Sequence, residues 1–267
     1  MQRLELVVGS EDPPPQALAW CGDVTRVIPL HGATTSAVHA IELRDGSQLV
    51  LRRYTGREWV GEEAAAIRRE AAALQRVSGL PAPRLVKADP EGTEAGAPAL
   101  LMTRIPGNHD WRPDLDQLAA LLPRIHAVDP RDLPPYEPYG LYTRTPPPWT
   151  ANPGIWLEAF GIFDAPPPPH ETTLIHRDFH PGNVIWQDGR LTGIVDWVMA
   201  SRGAPQADLG HCRWNLARRQ SPQVADDFLE ATGYDYHPYW DVVAALGGQN
   251  ETSLTPEDEA FLVHALK

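Results

Sequence analysis

The sequence predicts an α+β fold with a small β-rich first part, containing one main helix, and a larger, mostly helical second part. Strand-like segments dominate the chain up to Ile105, and helical patterns dominate it from Pro205 onward. Pro106 and Gly107 interrupt the last of the early strands. Because these two residue types break regular structure, we place a domain boundary there, between residues 1–105 and residues 106–267.

The first part is predicted to follow the order β-β-β-α-β-β, with one helix. Runs of apolar and β-branched residues bounded by turn residues indicate the strands. Apolar residues at helical spacing in an alanine-rich segment, Ile67, Ala71, Leu74 and Val77, indicate the helix. In chain order the predicted elements are Thr25–Leu30, Ser36–Leu43, Gln48–Tyr54, the helix Glu62–Val77, Arg84–Ala88 and Ala99–Ile105.

The second part is predicted to contain one hairpin among helices. Residues 115–128 have a helical pattern despite Pro123. Two apolar runs joined across Asp188-Gly189 predict a β-hairpin over Asn183–Trp197. Prolines cluster between Pro130 and Pro169, and we expect rigid, extended surface connections there, because proline is excluded from helix interiors and central strands.

Composition narrows the class of protein and its partners. The formal net charge of -12 argues against nucleic acid, which needs a basic surface. The acidity is compatible with a cationic substrate, although solubility explains it equally well. No run of apolar residues is long enough to span a membrane, the first residues do not have the pattern of a signal peptide, and two cysteines do not suggest a disulfide scaffold. We therefore expect a cytoplasmic protein that does not bind membranes.

A polar cluster, HRDFHPGN, lies between two apolar runs at residues 176–183. The cluster is predicted as a loop after a short strand, beside the hairpin whose second strand leads to Asp196. This arrangement would bring Asp178, Asn183 and Asp196 together. Asp178 can accept a proton from a hydroxyl group, and Asn183 and Asp196 can offer oxygen ligands to Mg²⁺. The spacing fits a kinase catalytic loop.

Several segments together resemble the aminoglycoside phosphotransferase and choline-kinase-like family of small-molecule kinases. LIHRDFHPGNVIW resembles the family's catalytic loop, LTGIVDW its metal-binding segment, and GAPQADLG the segment that follows. REAAALQRVSGLPAPRLV resembles the helix and next strand of the first lobe, and LLMTRIPG the hinge. The resemblance implies a bilobal protein-kinase-like fold, in which residues 1–105 bind the nucleotide and residues 106–267 hold the catalytic loop, the metal and the acceptor.

The resemblance also implies a role for each motif residue of the second lobe. Asp178 is the catalytic base or the residue that orients the hydroxyl group. Asn183 and Asp196 bind Mg²⁺. The predicted supporting residues are His176, His180 and Asp208. The phosphate donor is ATP or GTP, and the acceptor is a hydroxyl group of a small molecule, with an aminoglycoside or another antibiotic among the candidates.

In the first lobe, the resemblance places Arg52 where the family usually has a lysine. Val50 and Arg52 are predicted to share one face of their strand, with Val50 against the adenine and Arg52 at the phosphates. Glu70 matches the glutamate that pairs with the strand cation, and its position at the edge of the apolar helical stripe independently favours a buried cationic partner. Arg53 is predicted to point the other way, toward solvent.

Two further segments are candidate nucleotide contacts. The loop His31–Ser36 lies where the family covers the phosphates, and its backbone N–H groups and the hydroxyls of Thr34, Thr35 and Ser36 could hold phosphate oxygens. The hinge segment adds Thr103 and Ile105 as predicted nucleotide-binding residues.

Two rival functions stay open. His176, Asp178 and His180, with Asp196 and His211 downstream, have spacings that zinc sites use, which suggests a metal-dependent hydrolase. The arginine in place of lysine suggests a non-catalytic nucleotide-binding module. A protein kinase is disfavoured because Trp197 and Val198, not Phe-Gly, follow Asp196.

The acceptor is not determined by the motifs. Acidic residues of the second part could hold ammonium groups or form a solvated surface, and its tryptophans could stack on a sugar or pack in the core. The acidic candidates are Glu158, Asp164, Asp235, Asp241 and residues 257–259, and the aromatic ones are Trp156, Trp197, Trp214 and Trp240.

Overall fold

The computed structural model describes residues 12–31, 36–55, 61–250 and 252–267. The chain divides into two compact units, residues 1–106 and residues 107–267.

Unit 1 is built on a five-stranded antiparallel sheet with the strand order β1-β2-β3-β5-β4. Its elements are α1 (Pro15–Cys21), β1 (Val24–Leu30), β2 (Ala37–Leu43), β3 (Gln48–Arg53), α2 (Glu63–Arg76), β4 (Leu85–Asp89) and β5 (Ala99–Thr103). The five strands and the helix α2 confirm the predicted β-β-β-α-β-β order.

The prediction of a single helix in this unit was wrong, because α1 precedes the sheet. Pro15 occupies the first turn of α1, where its missing N–H costs nothing. Trp20 and Cys21 of α1 pack against Leu49 and Leu51 of β3 in one apolar cluster. The helix has only seven residues, which is too short for a clear periodic pattern.

The position of Arg53 corrects a second prediction. Arg53 lies on the same face of β3 as Leu49 and Leu51, because side chains alternate along a strand. That face is covered by α1, so Arg53 is buried at 6% exposure and does not point into solvent. The positive charge of Arg53 contributes to lowering the pKa of His39, after the larger effect of burial.

The helix α2 forms the other apolar layer of unit 1. Its buried residues include Ala66, Ile67, Ala73 and Leu74, which recur at the spacing of one helical face. Glu70 lies within this face and is fully buried. An acidic residue therefore occupies a core position, and it requires a compensating partner.

Unit 2 combines short strands with six helices among the described residues. Its elements are β6 (Asn108–His109), α3 (Leu115–His126), α4 (Pro153–Phe163), β7 (Thr173–Ile175), β8 (Val184–Gln187), β9 (Arg190–Ile194), β10 (Ser201–Gly203), α5 (Gln206–Arg219), α6 (Pro222–Thr232), α7 (Tyr239–Leu246) and α8 (Pro256–Ala265). The predicted hairpin and the predicted helices α3 and α5–α8 are confirmed.

The sequence predicted extended loops throughout the proline-rich region, but part of this region forms a helix. The polyproline segments at residues 146–148 and 166–169 lie outside helices and strands. Between them, residues 153–163 form α4, which begins with Pro153 in its first turn. Trp156 and Phe160 of this helix are buried in the core. Proline therefore starts the helix and does not interrupt it.

A tight turn and a close helix contact fix how neighbouring elements of unit 2 meet. Asp188 and Gly189 both have positive φ, 51° and 73°, as a two-residue hairpin turn requires. On α5, a Cβ at Gly210 would lie 2.4 Å from the carbonyl oxygen of Trp240, so only glycine lets α5 and α7 approach this closely.

Within the described part of the chain, we find no helix with the length and apolar character needed to cross a membrane.

Candidate active site

The loop after β7 is anchored by a buried carboxylate. Asp208, at the start of α5, is fully buried. Its Oδ2 accepts a hydrogen bond from the backbone N–H of His176 at 2.9 Å, and its Oδ1 accepts one from Arg177 at 2.6 Å. Arg177 has a φ of 70°, which is unusual for a residue with a side chain. Two charge-assisted hydrogen bonds hold the loop in this conformation at the point where it is strained.

Asp178 is oriented from two sides. The side-chain amide of Asn183 donates to the backbone oxygen and to Oδ2 of Asp178, both at 2.8 Å. His211 Nε2 on α5 lies 2.9 Å from Asp178 Oδ1 and donates to it. Burial opposes ionisation of Asp178, but the hydrogen bond from His211 favours it, and the pKa of this carboxyl lies well below its usual range. Asp178 is therefore an ionised hydrogen-bond acceptor over the whole neutral range.

The two loop histidines form structural contacts. The fully buried His176 has its Nε2 3.0 Å from the carbonyl oxygen of Val195. His180 Nδ1 accepts a hydrogen bond from the N–H of Gly182 at 3.0 Å, and its ring stacks on Trp111. Burial lowers the pKa of His180 to about 4, so this ring is neutral at pH 7.

Asp196 is the second residue after β9 and has left-handed backbone angles, φ 69° and ψ 59°. The N–H of its neighbour Val195 donates to the backbone oxygen of Asn183 at 2.9 Å. The hairpin therefore ties Asp196 to the loop that bears Asp178 and Asn183, as the motif spacing predicts. Strained backbone at a polar residue is common in functional sites.

The donor set beside this loop fits Mg²⁺. Because the Asn183 amide nitrogen donates to Asp178, its Oδ1 is the atom that remains to bind a cation. Asp196 adds a carboxylate, and amide and carboxylate oxygens are the ligands that Mg²⁺ takes. The neutral ring of His180 adds no positive charge that would oppose a cation there.

A second group of potential metal ligands differs from the predicted one. Ligand atoms of Asp178, His180 and His211 all lie within 4.8 Å of one another. His176, which the zinc alternative had included, is not a member, since its Nε2 is bonded to Val195. Nitrogen and carboxylate donors of this kind would suit a transition metal more than Mg²⁺.

Unit 1 contains the predicted ion pair between Arg52 and Glu70. Nη1 of Arg52 donates to both carboxylate oxygens of Glu70, at 3.1 and 3.0 Å. The Arg52 side chain is 10% exposed and that of Glu70 is 1% exposed. One nitrogen shared by two oxygens is not the two-nitrogen fork expected of arginine, and a lysine ammonium could form the same contact.

The other predicted nucleotide contacts have mixed surroundings. Ser36 is buried, whereas Thr34 and Thr35 lie outside the described residues. Val50 is half-buried on the face of β3 that also bears Arg52. Ile105 is half-buried, and Thr103 Oγ1 accepts a hydrogen bond from the N–H of Arg84 at 2.9 Å. Their roles toward a nucleotide stay predictions.

Three residues without a predicted kinase role help to hold the loop after β7. His211 binds Asp178, Arg177 contributes its backbone to the Asp208 anchor, and His126 Nε2 lies 3.2 Å from Asp208 Oδ2. The first had a signal in the sequence. His211 follows Asp208 by three positions on one helix, so both residues face the same side.

A cavity of about 180 Å³ opens beside the loop in unit 2. Its lining includes four aromatic and two basic residues, namely Tyr136, Tyr139, Trp214, Trp240, Arg177 and His211. Of the candidate tryptophans, Trp156 and Trp197 are fully buried in the core and do not line this cavity. Trp214 and Trp240 line the cavity, and Trp240 is also part of the buried core.

The candidate acidic residues do not line this cavity. Asp241 is buried and paired with Arg213, and Asp164 is paired with Arg144. Asp258 is buried in the first turn of α8 and accepts a hydrogen bond from the hydroxyl of the N-cap residue Thr255. Glu259 accepts a hydrogen bond from Trp156 Nε1 at 2.6 Å.

Comparison with known protein families shows which family the chain belongs to. The sequence model of the phosphotransferase enzyme family matches residues 26–246. The chain therefore belongs to the phosphotransferase enzyme family, which confirms both the resemblance and the prediction of a phosphotransferase. No curated protein sequence matches the chain.

Solved structures confirm the predicted fold class. A thermostable mutant of the aminoglycoside phosphotransferase APH(4)-Ia, in a ternary complex with ADP and hygromycin B, is 18% identical with a TM-score of 0.59 over 93% of this chain and 94% of that one. The choline kinase LicA from Streptococcus pneumoniae is 18% identical with a TM-score of 0.61 over 93% and 94%. The macrolide 2'-phosphotransferase MphH from Brachybacterium faecium is 18% identical with a TM-score of 0.55 over 93% and 86%.

Proposed function

We propose that this protein is a small-molecule kinase that transfers the γ-phosphate of ATP to a hydroxyl group of a small acceptor. One observation carries the proposal. In a chain of the phosphotransferase family, Asp178 is held as an ionised carboxylate by Asn183 and His211, on a loop anchored to buried Asp208. This is the arrangement that phosphoryl transfer to an alcohol needs, because a fixed acceptor must orient the attacking hydroxyl group.

The reaction follows from the position of Asp178. The acceptor hydroxyl donates its hydrogen bond to the Asp178 carboxylate, and its oxygen attacks the γ-phosphorus. A bond forms between that oxygen and phosphorus, the bond to the bridging oxygen of ADP breaks, and ADP leaves with the electron pair. The hydroxyl proton passes to Asp178. Since the pKa of Asp178 is low, the carboxylate orients the hydroxyl and takes the proton late, when the oxygen has become acidic.

Metal binding is assigned to Asn183 and Asp196. Mg²⁺ bound there would neutralise charge on the transferred phosphoryl group. His176 and His180 keep the loop in place through their contacts with Val195 and Gly182.

Nucleotide binding is assigned to unit 1. Arg52, held by Glu70, is the proposed phosphate-binding cation, and Val50 and Ile105 are the proposed apolar contacts of the base. The loop before β2 is also proposed to contact the phosphate oxygens, through Thr34, Thr35 and Ser36. Thr103 is the remaining proposed contact of the nucleotide. ATP is proposed over GTP because a structural relative was crystallised with ADP. Competition between the two nucleotides in a binding titration decides this preference.

The decisive experiment is ADP release by purified protein with Mg²⁺, ATP and a panel of hydroxylated acceptors. Aminoglycosides, macrolides and choline belong in the panel, since proteins of similar fold are named for them. Asp178→Asn is expected to lower turnover by about a hundredfold or more while ATP still binds. Asp188→Asn is the matched control, because Asp188 is an exposed turn residue with positive φ, which asparagine tolerates. Equal turnover in the Asp178 variant and the control would reject the proposal.

A zinc-dependent hydrolase is the second candidate, and the cluster of Asp178, His180 and His211 favours it. Stoichiometric zinc in the purified protein, with activity that depends on it, would support the hydrolase. The non-catalytic module is distinguished by the same ADP assay, since it would bind ATP without turnover. The cytoplasmic location and the lack of nucleic-acid partners stay predictions.

A further inference from the structure

The cavity beside the catalytic loop is close to the proposed reacting group. Arg177, which lines it, directly precedes Asp178 in the chain. His211, which also lines it, donates a hydrogen bond to Asp178 Oδ1 at 2.9 Å. One residue, His211, thus both lines the cavity and binds the Asp178 carboxylate.

The walls of the cavity suit a flat ring. Tyr136, Tyr139, Trp214 and Trp240 contribute aromatic surface, and Val243 adds an aliphatic side. A volume of about 180 Å³ is close to the roughly 150 Å³ that accommodates a benzene molecule in an engineered cavity, so one ring fits and a multi-ring antibiotic does not enter as a whole. Sugars and aromatic compounds both stack on such surfaces.

The charge of the cavity is unusual for a site that accepts amines. Aromatic walls often bind ammonium ligands through their ring faces. Here the Arg177 guanidinium already occupies two of these faces, 5.4 Å from the ring centre of Tyr136 and 4.5 Å from that of Tyr139. No aspartate or glutamate lines the cavity among the described residues. The acidic side chains that might serve, Asp241 and Asp164, have arginine partners elsewhere.

We propose that this cavity binds the acceptor, and that the acceptor is a hydroxylated ring that carries no positive charge on the part that enters. This inference rests on the proposed function and refines its substrate class. A neutral or anionic ring would stack between the aromatic side chains, while an ammonium group on the ring would meet the fixed guanidinium of Arg177. The overall acidity of the protein therefore does not predict a cationic acceptor.

The test compares three single-ring probes of similar size and different charge: glucose, glucuronate and glucosamine. Binding to the full chain is measured by ligand-observed NMR, and ADP formation with Mg²⁺ and ATP is measured in parallel. Glucose or glucuronate is expected to bind about tenfold more tightly than glucosamine. Arg177→Met is expected to remove this discrimination, and the ratio of affinities is informative even if the variant is less stable.

A matched pair of tyrosines locates the binding. Tyr139 lines the cavity and Tyr142 does not, although both are exposed, at 49% and 75%. Tyr139→Ala should weaken binding of the preferred probe by about fivefold or more, and Tyr142→Ala should not change it. The inference is overturned if glucosamine binds as tightly as glucose, if none of the probes binds, or if the two tyrosine variants behave alike. ADP formation with an amine acceptor would then leave the kinase function standing, whereas absence of both ATP binding and ADP formation would remove the kinase function itself.

Discussion

Removal of Glu70 should expose how strongly the first unit depends on a single buried ion pair. Nη1 of Arg52 lies 3.0 Å from Glu70 Oε2, and both side chains are buried. At an effective dielectric constant of about 20, two unit charges at this distance attract by roughly 5 kcal/mol. Desolvation offsets much of that gain in the intact pair, but a variant that removes one partner retains the desolvation cost of the other. We therefore expect Glu70→Ala to lower the free energy of unfolding by about 3–5 kcal/mol.

The assay is urea unfolding followed by circular dichroism, combined with calorimetric titration of ATP. Arg52→Ala should destabilise the protein similarly, and the double variant should lose about 1–3 kcal/mol less than the sum of the two. Asp23→Ala is the control, because Asp23 forms an exposed pair with Arg44 whose loss should cost less than about 1 kcal/mol. Strict additivity of the two single variants would refute the coupling.

Stability and nucleotide affinity can be separated at this pair. Replacement of both residues by apolar ones, Arg52→Met with Glu70→Leu, should restore stability close to that of the natural chain. The same double variant should bind ATP weakly, because the phosphate-binding cation is gone. Arg52→Lys should retain partial affinity, since one nitrogen makes the observed contact with Glu70. Unchanged ATP affinity in the apolar double variant would remove Arg52 from the nucleotide site.

Three further predictions concern the metal, the catalytic loop and acid stability. Asp196→Ala should abolish the Mg²⁺-dependent part of ATP affinity in calorimetry, with Asn183→Ala milder, because an amide contributes no net charge. His211→Asn should lower kcat/KM by about ten- to a hundredfold through loss of its hydrogen bond to Asp178, without a change in ATP affinity. Asp89→Asn should lower the free energy of unfolding by about 1–3 kcal/mol at pH 7, because Asp89 accepts hydrogen bonds from the N–H groups of three residues in the following turn.

The sign of the last effect follows from the pKa of Asp89. Burial opposes ionisation, but the backbone hydrogen bonds win, and the folded-state pKa lies below its usual value. The stabilisation is therefore complete above the unfolded pKa of about 3.9 and is lost as the pH falls through the folded value. As the pH falls, the free energy of unfolding of the variant should decrease less steeply than that of the natural chain. A parallel pH profile for the two proteins would contradict this assignment.

The sequence determined much of the fold, because strands and helices are encoded by patterns of residues that are close together in the chain. Runs of apolar and β-branched residues bounded by turn residues predicted the five strands of unit 1, and helical patterns predicted α2, α3 and the helices after Pro205. The proximity of Asp178 and Asn183 was predictable for the same reason, since they lie in one short loop and contact each other directly. Glu70 was recognised because an acidic residue in an apolar stripe implies a buried partner.

Tertiary structure decided the features that depend on distant parts of the chain. The burial of Arg53 depends on α1. This helix is too short to be recognised from its sequence pattern, and it is stable only because it packs on the sheet. The partner of Asp178 comes from α5, and the cavity wall combines Tyr136 with Trp240, residues far apart in sequence. No periodicity or spacing encodes these contacts. They exist because the packing of α5 against α7, which Gly210 permits, brings separate segments to the same place.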